Sequence, residues 1–155
     1  MKAIKQVLVA CALLHRERGG SHEVFVARRA ATKKFLPNVF ELPGGHVELG
    51  EEPVDALKRE LIEEFDLEIS VGDPFTVITY VDGAGEQAGE IIYFATLMNP
   101  EVQIEVHPED HSEYRWVSME SLPEIATVMK PLNDEEFVAL RRGLELLGGA
   151  PLNLG

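Results

Sequence analysis

Residues 45–67 constrain the fold of this chain more than any other stretch, because a glycine loop leads directly into a strongly patterned segment. Pro53 suits the first position of a helix, and the acidic pair before it suits the positive end of a helix dipole. At about 100° per residue, the apolar side chains that follow share a single stripe: Val54, Leu57, Leu61 and Phe65. We therefore predict an amphipathic helix from Pro53 to about Phe65, with that stripe against the core.

Three glutamates lie beside this stripe. Glu60, Glu63 and Glu64 are spaced i, i+3 and i+4, so they share one face of the predicted helix. Like charges at these spacings destabilise a helix by about 0.2–0.5 kcal/mol per pair, and bound cations would offset that repulsion. Carboxylate oxygens are the ligands that Mg²⁺ and Mn²⁺ prefer, usually together with water and substrate phosphates. The pattern predicts a divalent-metal site for phosphate chemistry, next to the tight loop at residues 43–45.

These residues are similar to the Nudix box, G-x5-E-x7-R-E-U-x-E-E-x-G-U, in which U is an aliphatic residue. Gly45, Glu51, residues 59–64 and Leu67 stand at the offsets of that motif. Asp66 departs from it, because the family has a glycine there that ends the helix in a left-handed conformation. Aspartate tolerates this conformation better than most residues, so we expect a slightly strained helix end and an intact metal site. The alternative is a solvated, glutamate-rich helix, which would have to match all these positions by chance.

The resemblance implies the Nudix fold, an α/β/α sandwich of the α+β type with a mixed β-sheet. Short strands on both sides of one amphipathic helix, with a second helix at the end of the chain, favour the same α/β sandwich. The sequence has no internal repeat and no linker, so we expect residues 1–155 to form a single domain. The chemistry of the family is metal-dependent hydrolysis of a nucleoside diphosphate linked to another moiety, by attack of water at phosphorus.

The resemblance also implies a metal-binding set. Glu60, Glu63 and Glu64 would act in catalysis as ligands of Mg²⁺, with Mn²⁺ as a substitute. A backbone carbonyl of the glycine loop, at Gly44, would complete the protein's share of the coordination shell. Such an ion neutralises the phosphate oxygens and lowers the pKa of a bound water.

Residues around these ligands would position them or take part in the reaction. Arg59, together with Glu51, would hold the metal-binding carboxylates by charge-assisted hydrogen bonds, and Glu48 would add a water-mediated contact. Family members often supply one more glutamate from the segment before the last strand, as a metal ligand or as the base that deprotonates water. Glu113 is the preferred candidate here and Glu109 the second, with one of the box glutamates as the alternative.

Four residues outside the box are candidate substrate contacts. Arg28 and Arg29 end a predicted strand, and guanidinium groups pair bidentately with phosphate oxygens. The run around them resembles the mutator-type Nudix pyrophosphatases, in which the second arginine contacts substrate. Phe35, beside two lysines, could stack on a nucleotide. In the same relatives an asparagine before the last helix reads the base edge. Asn133 stands there, although a role as helix N-cap is sufficient to explain it.

The identity of the substrate is less constrained than the chemistry. The short chain and the similarities above favour a nucleoside triphosphate, oxidised guanine nucleotides included, cleaved to monophosphate and pyrophosphate. A nucleotide sugar, ADP-ribose or a dinucleoside polyphosphate stays open, because fold does not determine substrate. A nucleotide-sensing module without catalysis would usually lack box carboxylates, which this chain keeps. An isoprenoid diphosphate isomerase would need a cysteine in the pocket, and Cys11 lies in an apolar strand run well before the box.

Composition narrows the class of partner. The formal net charge of −13 argues against a nucleic-acid polymer or an anionic membrane, since both attract a basic face. It is compatible with phosphate substrates, because bound metal ions invert the local field. The sequence has no signal-peptide pattern and no apolar run long enough to cross a bilayer, so we expect a cytoplasmic enzyme acting on a small-molecule nucleotide. A homodimer is compatible with the sequence.

Apolar and alternating runs outside the box predict further strands. These cover residues 7–14, 23–28, 75–81, 90–98 and 114–117, with a short strand or extended loop at 102–106. We expect residues 72–74 to break the strand that starts at Leu67, and one helical turn at 119–122. A last helix is predicted over residues 133–147.

Overall fold

The computed structural model describes residues 5–129 and 135–155, which contain seven β-strands and two α-helices. The strands are β1 (Gln6–Arg18), β2 (Ser21–Arg29), β3 (Phe40–Glu41), β4 (Gly44–His46), β5 (Ile69–Val81), β6 (Gln87–Leu97) and β7 (His111–Val117). The helices are α1 (Pro53–Phe65) and α2 (Glu135–Leu147), and a short 3-10 turn covers Leu122–Glu124. In this part of the chain, no helix has the length and apolar character needed to span a membrane.

The sheet is mixed, as predicted, and β1 is its central strand. The strand order is β3-β2-β1-β6-β5, with β4 paired to β1 and β7 paired to β2. β1 runs parallel to β6, and its other neighbours are antiparallel to it. On the side away from β6, β1 pairs first with β4 at residues 9–11 and then with β2 at residues 15–18. The glycine loop that precedes the box therefore lies against the middle of the sheet.

Alternate residues of β1 contribute to two hydrophobic clusters, because the strand is buried on both faces. One cluster includes residues of α2 and the other includes residues of α1. Gly143 allows α2 to approach the strand closely, since a Cβ at this position would lie 2.4 Å from Cδ2 of Leu13. The two helices thus cover opposite faces of the sheet, and the predicted sandwich is confirmed.

The helix of the box has the bounds that its sequence predicts; Leu57, Leu61 and Phe65 of its apolar stripe are buried, and Val54 is half-buried. Asp66 follows in a left-handed conformation, with φ 55° and ψ 33°. Its N–H donates to the carbonyl of Ile62 at 3.0 Å, and the N–H of Leu67 donates to the carbonyl of Leu61 at 3.2 Å. Aspartate therefore ends the helix as the family's glycine does, as expected. Its exposed side chain also lies 3.0 Å from Nε2 of His107.

Several predicted element boundaries are wrong. β5 runs from Ile69 to Val81 without the break expected at residues 72–74. Its register against β6 shifts on both sides of Pro74 instead, which makes the segment an irregularity within one strand. Proline has no N–H to donate, and it is tolerated there because β5 lies at the edge of the sheet. The helical turn expected at 119–122 lies at Leu122–Glu124, and of the two alternatives for residues 102–106 the strand is not formed, which leaves the loop.

The last helix carries one buried acidic residue, Glu136. Its predicted start at Asn133 lies outside the described residues, and α2 is described from Glu135. Glu136 is 1% exposed, and its Oε1 accepts a hydrogen bond from the N–H of Leu42 at 2.7 Å. From sequence, an acid in the first turn suggests an interaction with the helix dipole. Here the side chain also joins α2 to the segment between β3 and β4.

Candidate active site

A cavity of about 490 Å³ opens where β1, β4, α1 and the β5–β6 hairpin meet. Five of the residues predicted from sequence line it: Arg29, Phe35, Gly44, Glu60 and Glu64. Its wall also contains residues that the sequence did not single out, among them Glu41, Tyr80 and Glu90. The cavity therefore brings the acidic face of α1 together with the far end of the sheet.

Arg59 holds the acidic residues of the box together. Its Nε and Nη2 donate to the two carboxylate oxygens of Glu51 at 2.8 and 2.9 Å. Its Nη1 donates to Glu60 Oε1 at 3.0 Å and to Glu63 Oε2 at 3.1 Å. Nη2 also donates to the carbonyl of His46 at 3.0 Å. The planar fork of donors on one guanidinium thus ties the acidic face of α1 to β4.

Glu51 is ionised because of this arrangement. Hydrogen bonds from Arg59, and then from the backbone N–H of Glu48, hold the pKa of Glu51 at about 2. The same pairing raises the pKa of Arg59 above its usual value. The side chain of Glu48 is peripheral: it is 72% exposed, and its carboxylate lies 4.0 Å from Nη2 of Arg59.

Gly45 has a steric reason to be glycine. A Cβ at this position would lie 2.4 Å from Cδ of Glu60 and 2.6 Å from Oε2. Substitution by any other residue would therefore push the Glu60 carboxylate away from the loop. Burial raises the pKa of Glu60, while hydrogen bonding from Arg59 acts in the opposite direction.

Glu64 has surroundings that favour a bound cation. Burial raises its pKa to about 8, and the carboxylates of Glu41, Glu60 and Asp110 act in the same direction, opposed by Lys33. The carboxylates that raise the pKa of Glu64 thus outnumber the one cation, Lys33, that lowers it. Carboxylate and backbone carbonyl oxygens are the donors that Mg²⁺ and Mn²⁺ prefer. The donor set on this wall therefore fits a divalent ion of that kind.

A second cluster of metal-ligating side chains lies beside the end of α1. Within residues 5–129 and 135–155, the group whose potential ligand atoms all lie within 4.8 Å of one another is His107, Glu109 and Asp110. This group has partners of its own, since Asp110 lies 2.9 Å from Nζ of Lys33 and His107 lies 3.0 Å from Asp66. The glutamates of the box do not form such a group in the described chain, and Arg59 hydrogen-bonds to three of them, Glu51, Glu60 and Glu63.

Glu41 was missed from the sequence, although it lies in the site. Its Oε2 is 3.1 Å from Nε2 of His111 and 3.3 Å from Nη1 of Arg29. His111 is 2% exposed and its ring stacks on Phe65 of α1, with centroids 4.8 Å apart. One signal was available, since Glu41 interrupts an apolar run in which the residues on both sides are buried. His111 is the first residue of β7.

The two candidate arginines have different positions. Arg29 lines the cavity, and its Nε donates to the carbonyl of Phe35 at 3.0 Å. Arg28 donates from Nε to the carbonyl of Asn38 at 2.9 Å, and its Nη1 lies 3.6 Å from Glu113. Among the described residues, Arg28 is not part of the cavity wall. A role in substrate binding stays a prediction for both, with the better position at Arg29.

The two candidate bases from the last strand region lie off the cavity wall. Glu113 Oε1 accepts a hydrogen bond from Nε of Arg115 at 3.0 Å, and its other oxygen faces Arg28. Glu109 is exposed. The acidic groups from the described chain that do line the cavity near α1 are Glu41, Glu60 and Glu64.

Cys11 is closer to the site than its sequence context suggested. It is buried in β1, as predicted, and it pairs in register with Gly44. It also lines the cavity, and a Cβ on Gly44 would lie 2.8 Å from its Sγ. Distance from the box along the chain was therefore a poor guide to distance in space. Asn133, the remaining candidate contact, lies outside the described residues.

Comparison with known proteins agrees with this architecture. The profile of the NUDIX domain matches residues 5–140. Nucleoside triphosphatase NudI of Escherichia coli O139:H28 (strain E24377A / ETEC) is 30% identical over 155 residues, covering 94% of this chain and 99% of that protein. The 8-oxo-dGTP diphosphatase of Escherichia coli (strain K12) is 39% identical over 61 residues, covering 39% of this chain and 44% of that protein. The match thus spans less than half of the length of that protein, and in another relative it spans 18% of that relative's length.

Solved structures share the fold. The Ap4A hydrolase of C. elegans, in a binary complex, superposes with a TM-score of 0.74 at 23% identity, covering 92% of this chain and 98% of that one. At this level of identity the likeness is one of fold. It agrees with the sandwich described above.

Proposed function

The chain belongs to the Nudix family of hydrolases, and from that premise we propose that it cleaves nucleoside triphosphates to the monophosphate and pyrophosphate. Nudix hydrolases act on small-molecule substrates in which a nucleoside diphosphate is linked to another moiety, and they generally use divalent metal ions. The proposal concerns the finer points: the triphosphate as substrate, Mg²⁺ as the ion, and the residues that carry the reaction.

The observation that carries the proposal is the acidic wall that α1 presents to the cavity. Glu60 and Glu64 line it, and Arg59 joins Glu63 to Glu60. A triphosphate is itself strongly anionic, so it can bind next to this wall only with cations between the two. A nucleotide substrate and a metal ion therefore require each other at this position.

Glu60, Glu63 and Glu64 would hold Mg²⁺, or Mn²⁺ in its place, together with a backbone carbonyl at Gly44. When bound, the ion neutralises phosphate oxygens and lowers the pKa of its water. The protein's own part is to keep this set in position, because Arg59 orients two of the carboxylates. Arg29 adds a guanidinium on the cavity wall, where it can pair with a phosphate oxygen.

The base that deprotonates the attacking water is a carboxylate of the cavity wall in this proposal. A base has to lie within hydrogen-bond reach of that water, directly or through one other water. Glu41, Glu60 and Glu64 are the candidates, because they line the cavity on the side of α1. Glu113 and Glu109 do not line it, so we expect Glu113→Gln to keep most of the activity.

The names of the relatives support a nucleoside triphosphate as the substrate, but they do not identify the general base of the reaction. NudI is named a nucleoside triphosphatase and aligns over nearly its whole length, whereas the 8-oxo-dGTP diphosphatase aligns over less than half of its length. The Ap4A hydrolase, which shares the fold, keeps a dinucleoside polyphosphate as the alternative substrate.

The test is phosphate release from a panel of nucleotides and nucleotide derivatives, in Mg²⁺ and in Mn²⁺, with and without inorganic pyrophosphatase. We expect phosphate from nucleoside triphosphates only when pyrophosphatase is added, because the product is pyrophosphate. Release from ADP-ribose, a nucleotide sugar or a dinucleoside polyphosphate, with triphosphates inert, would contradict the proposed substrate. A folded protein that binds nucleotides and cleaves none would indicate a sensing module.

A matched pair of variants tests the site. Glu63→Gln should abolish turnover and leave the fold intact, because it removes one proposed ligand from an exposed face of α1. Glu68→Gln, an exposed glutamate just beyond the helix, is the control and should behave like the wild type. Wild-type turnover by Glu63→Gln in Mg²⁺ would refute the assignment of the site.

A further inference from the structure

We propose that His111 and Glu41 form a positioning pair that holds the guanidinium of Arg29 in place for the phosphates of the substrate. This inference deepens the proposed function and rests on it in one respect, the role of Arg29 as a phosphate contact. Neither His111 nor Glu41 belongs to the box, and the strands that carry them are far apart along the chain. Because the pair acts through Arg29, its effect should appear first in how tightly the substrate binds.

The three residues lie on one face of three adjacent strands. β3 and β7 run along opposite edges of β2, because residues 27 and 28 pair with both of them. Arg29, at the end of β2, is the register partner of His111 on β7. Glu41 on β3 pairs with Ala27, so it lies diagonal to Arg29 on the same face. The sheet thus places an imidazole and a carboxyl group on the two strands that flank one guanidinium.

A register irregularity in the β2–β7 ladder brings His111 to this face. Arg28 pairs with Glu113. The next pair is Arg29 with His111, which leaves Ser112 as an extra residue on β7. In a regular ladder Ser112 would lie opposite Arg29, and His111 would face the other side of the sheet, because side chains alternate along a strand. Irregularities of this kind re-aim side chains and are frequent next to functional sites.

Glu41 joins the other two residues through one oxygen atom. Its Oε2 lies 3.1 Å from Nε2 of His111 and 3.3 Å from Nη1 of Arg29. The proton between the ring and the carboxyl group can belong to either of them, and a hydrogen bond forms in both cases. Side-chain exposure rises along this series, from 3% at His111 to 16% at Glu41 and 22% at Arg29. The contacts therefore run from the protein interior to the cavity wall, which Glu41 and Arg29 line.

Packing alone does not explain a histidine at position 111. Its ring stacks on Phe65, the last residue of α1, with centroids 4.8 Å apart and an angle of 27° between the planes. An apolar ring would make the same contact. The imidazole adds a buried Nδ1, for which the described residues provide no hydrogen-bond partner, and such an atom lowers stability. The bond from Nε2 to Glu41 is what a histidine provides here and a phenylalanine does not.

Two contacts fix the orientation of the Arg29 guanidinium. Its Nε donates to the carbonyl of Phe35 at 3.0 Å, and its Nη1 donates to Glu41. Within the described chain these two nitrogens account for the hydrogen bonds of the group, which leaves Nη2 for a ligand. Pairing with a phosphate depends on the plane of the guanidinium, since its donors form a rigid fork. If Glu41 lost its support from His111, this plane would be less well defined.

The experiment measures kcat and KM for dGTP in Mg²⁺. His111→Phe keeps an aromatic ring on Phe65 and removes the nitrogen that reaches Glu41. We expect KM to rise about 10-fold while kcat stays within about threefold of the wild type, because an arginine–phosphate contact is present in both the ground state and the transition state. The Tm should not fall, since the ring packing is kept and an unsatisfied buried atom is removed. A purely structural role for His111 would lower the Tm instead.

Two further variants complete this comparison. His111→Gln has a side-chain amide that can donate to the same carboxyl group, so it should restore KM to within about threefold of the wild type. His15→Phe is the matched control, because His15 is also half-buried beside an aromatic ring, that of Phe94, but lies off the cavity wall. It should keep the wild-type KM. A KM for His111→Phe equal to that of this control would overturn the inference.

A double-mutant cycle tests whether His111 acts through Arg29. In the Arg29→Ala background, His111→Phe should change kcat/KM by less than about twofold, because the group that it positions is absent. An equal loss in both backgrounds would mean that His111 acts independently of Arg29, and the inference would be wrong.

Binding of inorganic tripolyphosphate in Mg²⁺, measured by calorimetry, separates this inference from the proposed function. If no triphosphate is cleaved but His111→Phe weakens this binding about 10-fold only while Arg29 is present, the inference holds and the proposed function does not. If triphosphates are cleaved and His111→Phe changes neither KM nor this binding, the inference is wrong and the function holds. Should His111→Phe fail to fold by circular dichroism, His111→Leu replaces it; unchanged binding in that variant would equally overturn the inference.

Discussion

Glu51 and Glu64 belong to the same box, but their electrostatic surroundings are opposite. Glu51 accepts two hydrogen bonds from Arg59, and its pKa lies at about 2. Glu64 is half-buried near other carboxylates, and its pKa lies at about 8. The first carboxylate is paired directly with a guanidinium, whereas the second lies near more carboxylates than cations, with Lys33 alone lowering its pKa. The difference separates Glu51, which is part of a hydrogen-bonded network around Arg59, from Glu64, which we propose as a metal ligand.

The two groups should change stability with pH in opposite directions. The folded-state pKa of Glu64 lies above the ordinary value of 4.5, so its contribution is fully present below about pH 4.5 and is lost as pH rises through 8. The folded-state pKa of Glu51 lies below that value, so its contribution is present above about pH 4.5 and is lost as pH falls through 2. Metal-free protein should therefore lose stability toward both ends of this range.

Glu64→Gln should have the largest effect on this comparison. We expect a loss of turnover of roughly 10³-fold, since a metal site supplies several kcal/mol of transition-state stabilisation. Without metal at pH 9, the variant should unfold at a temperature equal to or above that of the wild type, because the repulsion among carboxylates is reduced. Mg²⁺ should raise the Tm of the wild type at pH 9 and leave that of the variant nearly unchanged. A wild-type response to Mg²⁺ in Glu64→Gln would show that Glu64 is not a ligand.

Gly45→Ala should have the next largest effect, because it changes the position of Glu60 without changing any charge. The added Cβ would lie 2.4 Å from the Glu60 carboxyl carbon, so that group must move. We expect a loss of about 100-fold in kcat/KM, with only a small change in Tm. Gly89→Ala is the matched control, since a Cβ there meets no atom within 4 Å. Equal activity in the two variants would mean that the position of Glu60 is not critical.

Arg59→Lys should have a smaller effect on activity and a clear effect on acid stability. Lysine keeps the positive charge but cannot donate to Glu51, Glu60 and Glu63 at once, so we expect a loss of about 10-fold to 100-fold in kcat/KM. The pKa of Glu51 should rise toward its ordinary value. Thermal unfolding recorded from pH 2 to pH 5 should then depend less on pH than in the wild type. If the unfolding temperature depended on pH between pH 2 and pH 5 as it does in the wild type, Arg59 would not be what lowers the pKa of Glu51.

Asp66→Gly should have the smallest effect. Glycine suits the left-handed conformation at the end of α1 at least as well as aspartate does, while the contact with His107 is lost. Asp66 raises the pKa of His107, so this contact contributes below about pH 6.5 and is lost as pH rises through the raised pKa. We expect unchanged kcat/KM at pH 8 and a change in Tm of about 2 °C or less. A tenfold loss of activity would mean that this contact positions residues of the site.

The parts of the molecule that were predicted correctly depend on residues close in sequence. The bounds of α1 follow from Pro53, the spacing of the apolar stripe and the cap at Asp66, all within one segment. The hydrogen-bond partners of the Arg59 guanidinium are close to it along the chain, the most distant being His46. Helix periodicity and one loop bring them together. The mixed sheet with helices on both faces was also predicted correctly, because the order of strands and helices along the chain restricts the number of layers.

The parts that were missed depend on contacts between distant segments. Glu41 and His111 are separated by 69 residues along the chain and meet because β3 and β7 both pair with β2. Glu90 reaches the cavity through its pairing with β1, which no local pattern indicates. Pro74 was interpreted as a break because its effect on a strand depends on whether that strand lies at an edge.

The sequence by itself determined the family and the helix of the box, and it predicted the chemistry of the carboxylates on that helix. Helix periodicity is a local property, so the spacing of charges along α1 implies their arrangement in space. Only the tertiary structure decided which other groups share the cavity with them, among them Glu41, Cys11, Tyr80 and Glu90. Strand pairing brings these residues together across most of the chain, and a pairing register depends on the packing of the whole sheet. The pKa of Glu64 likewise follows from burial and from neighbours on other elements, which the box alone does not contain.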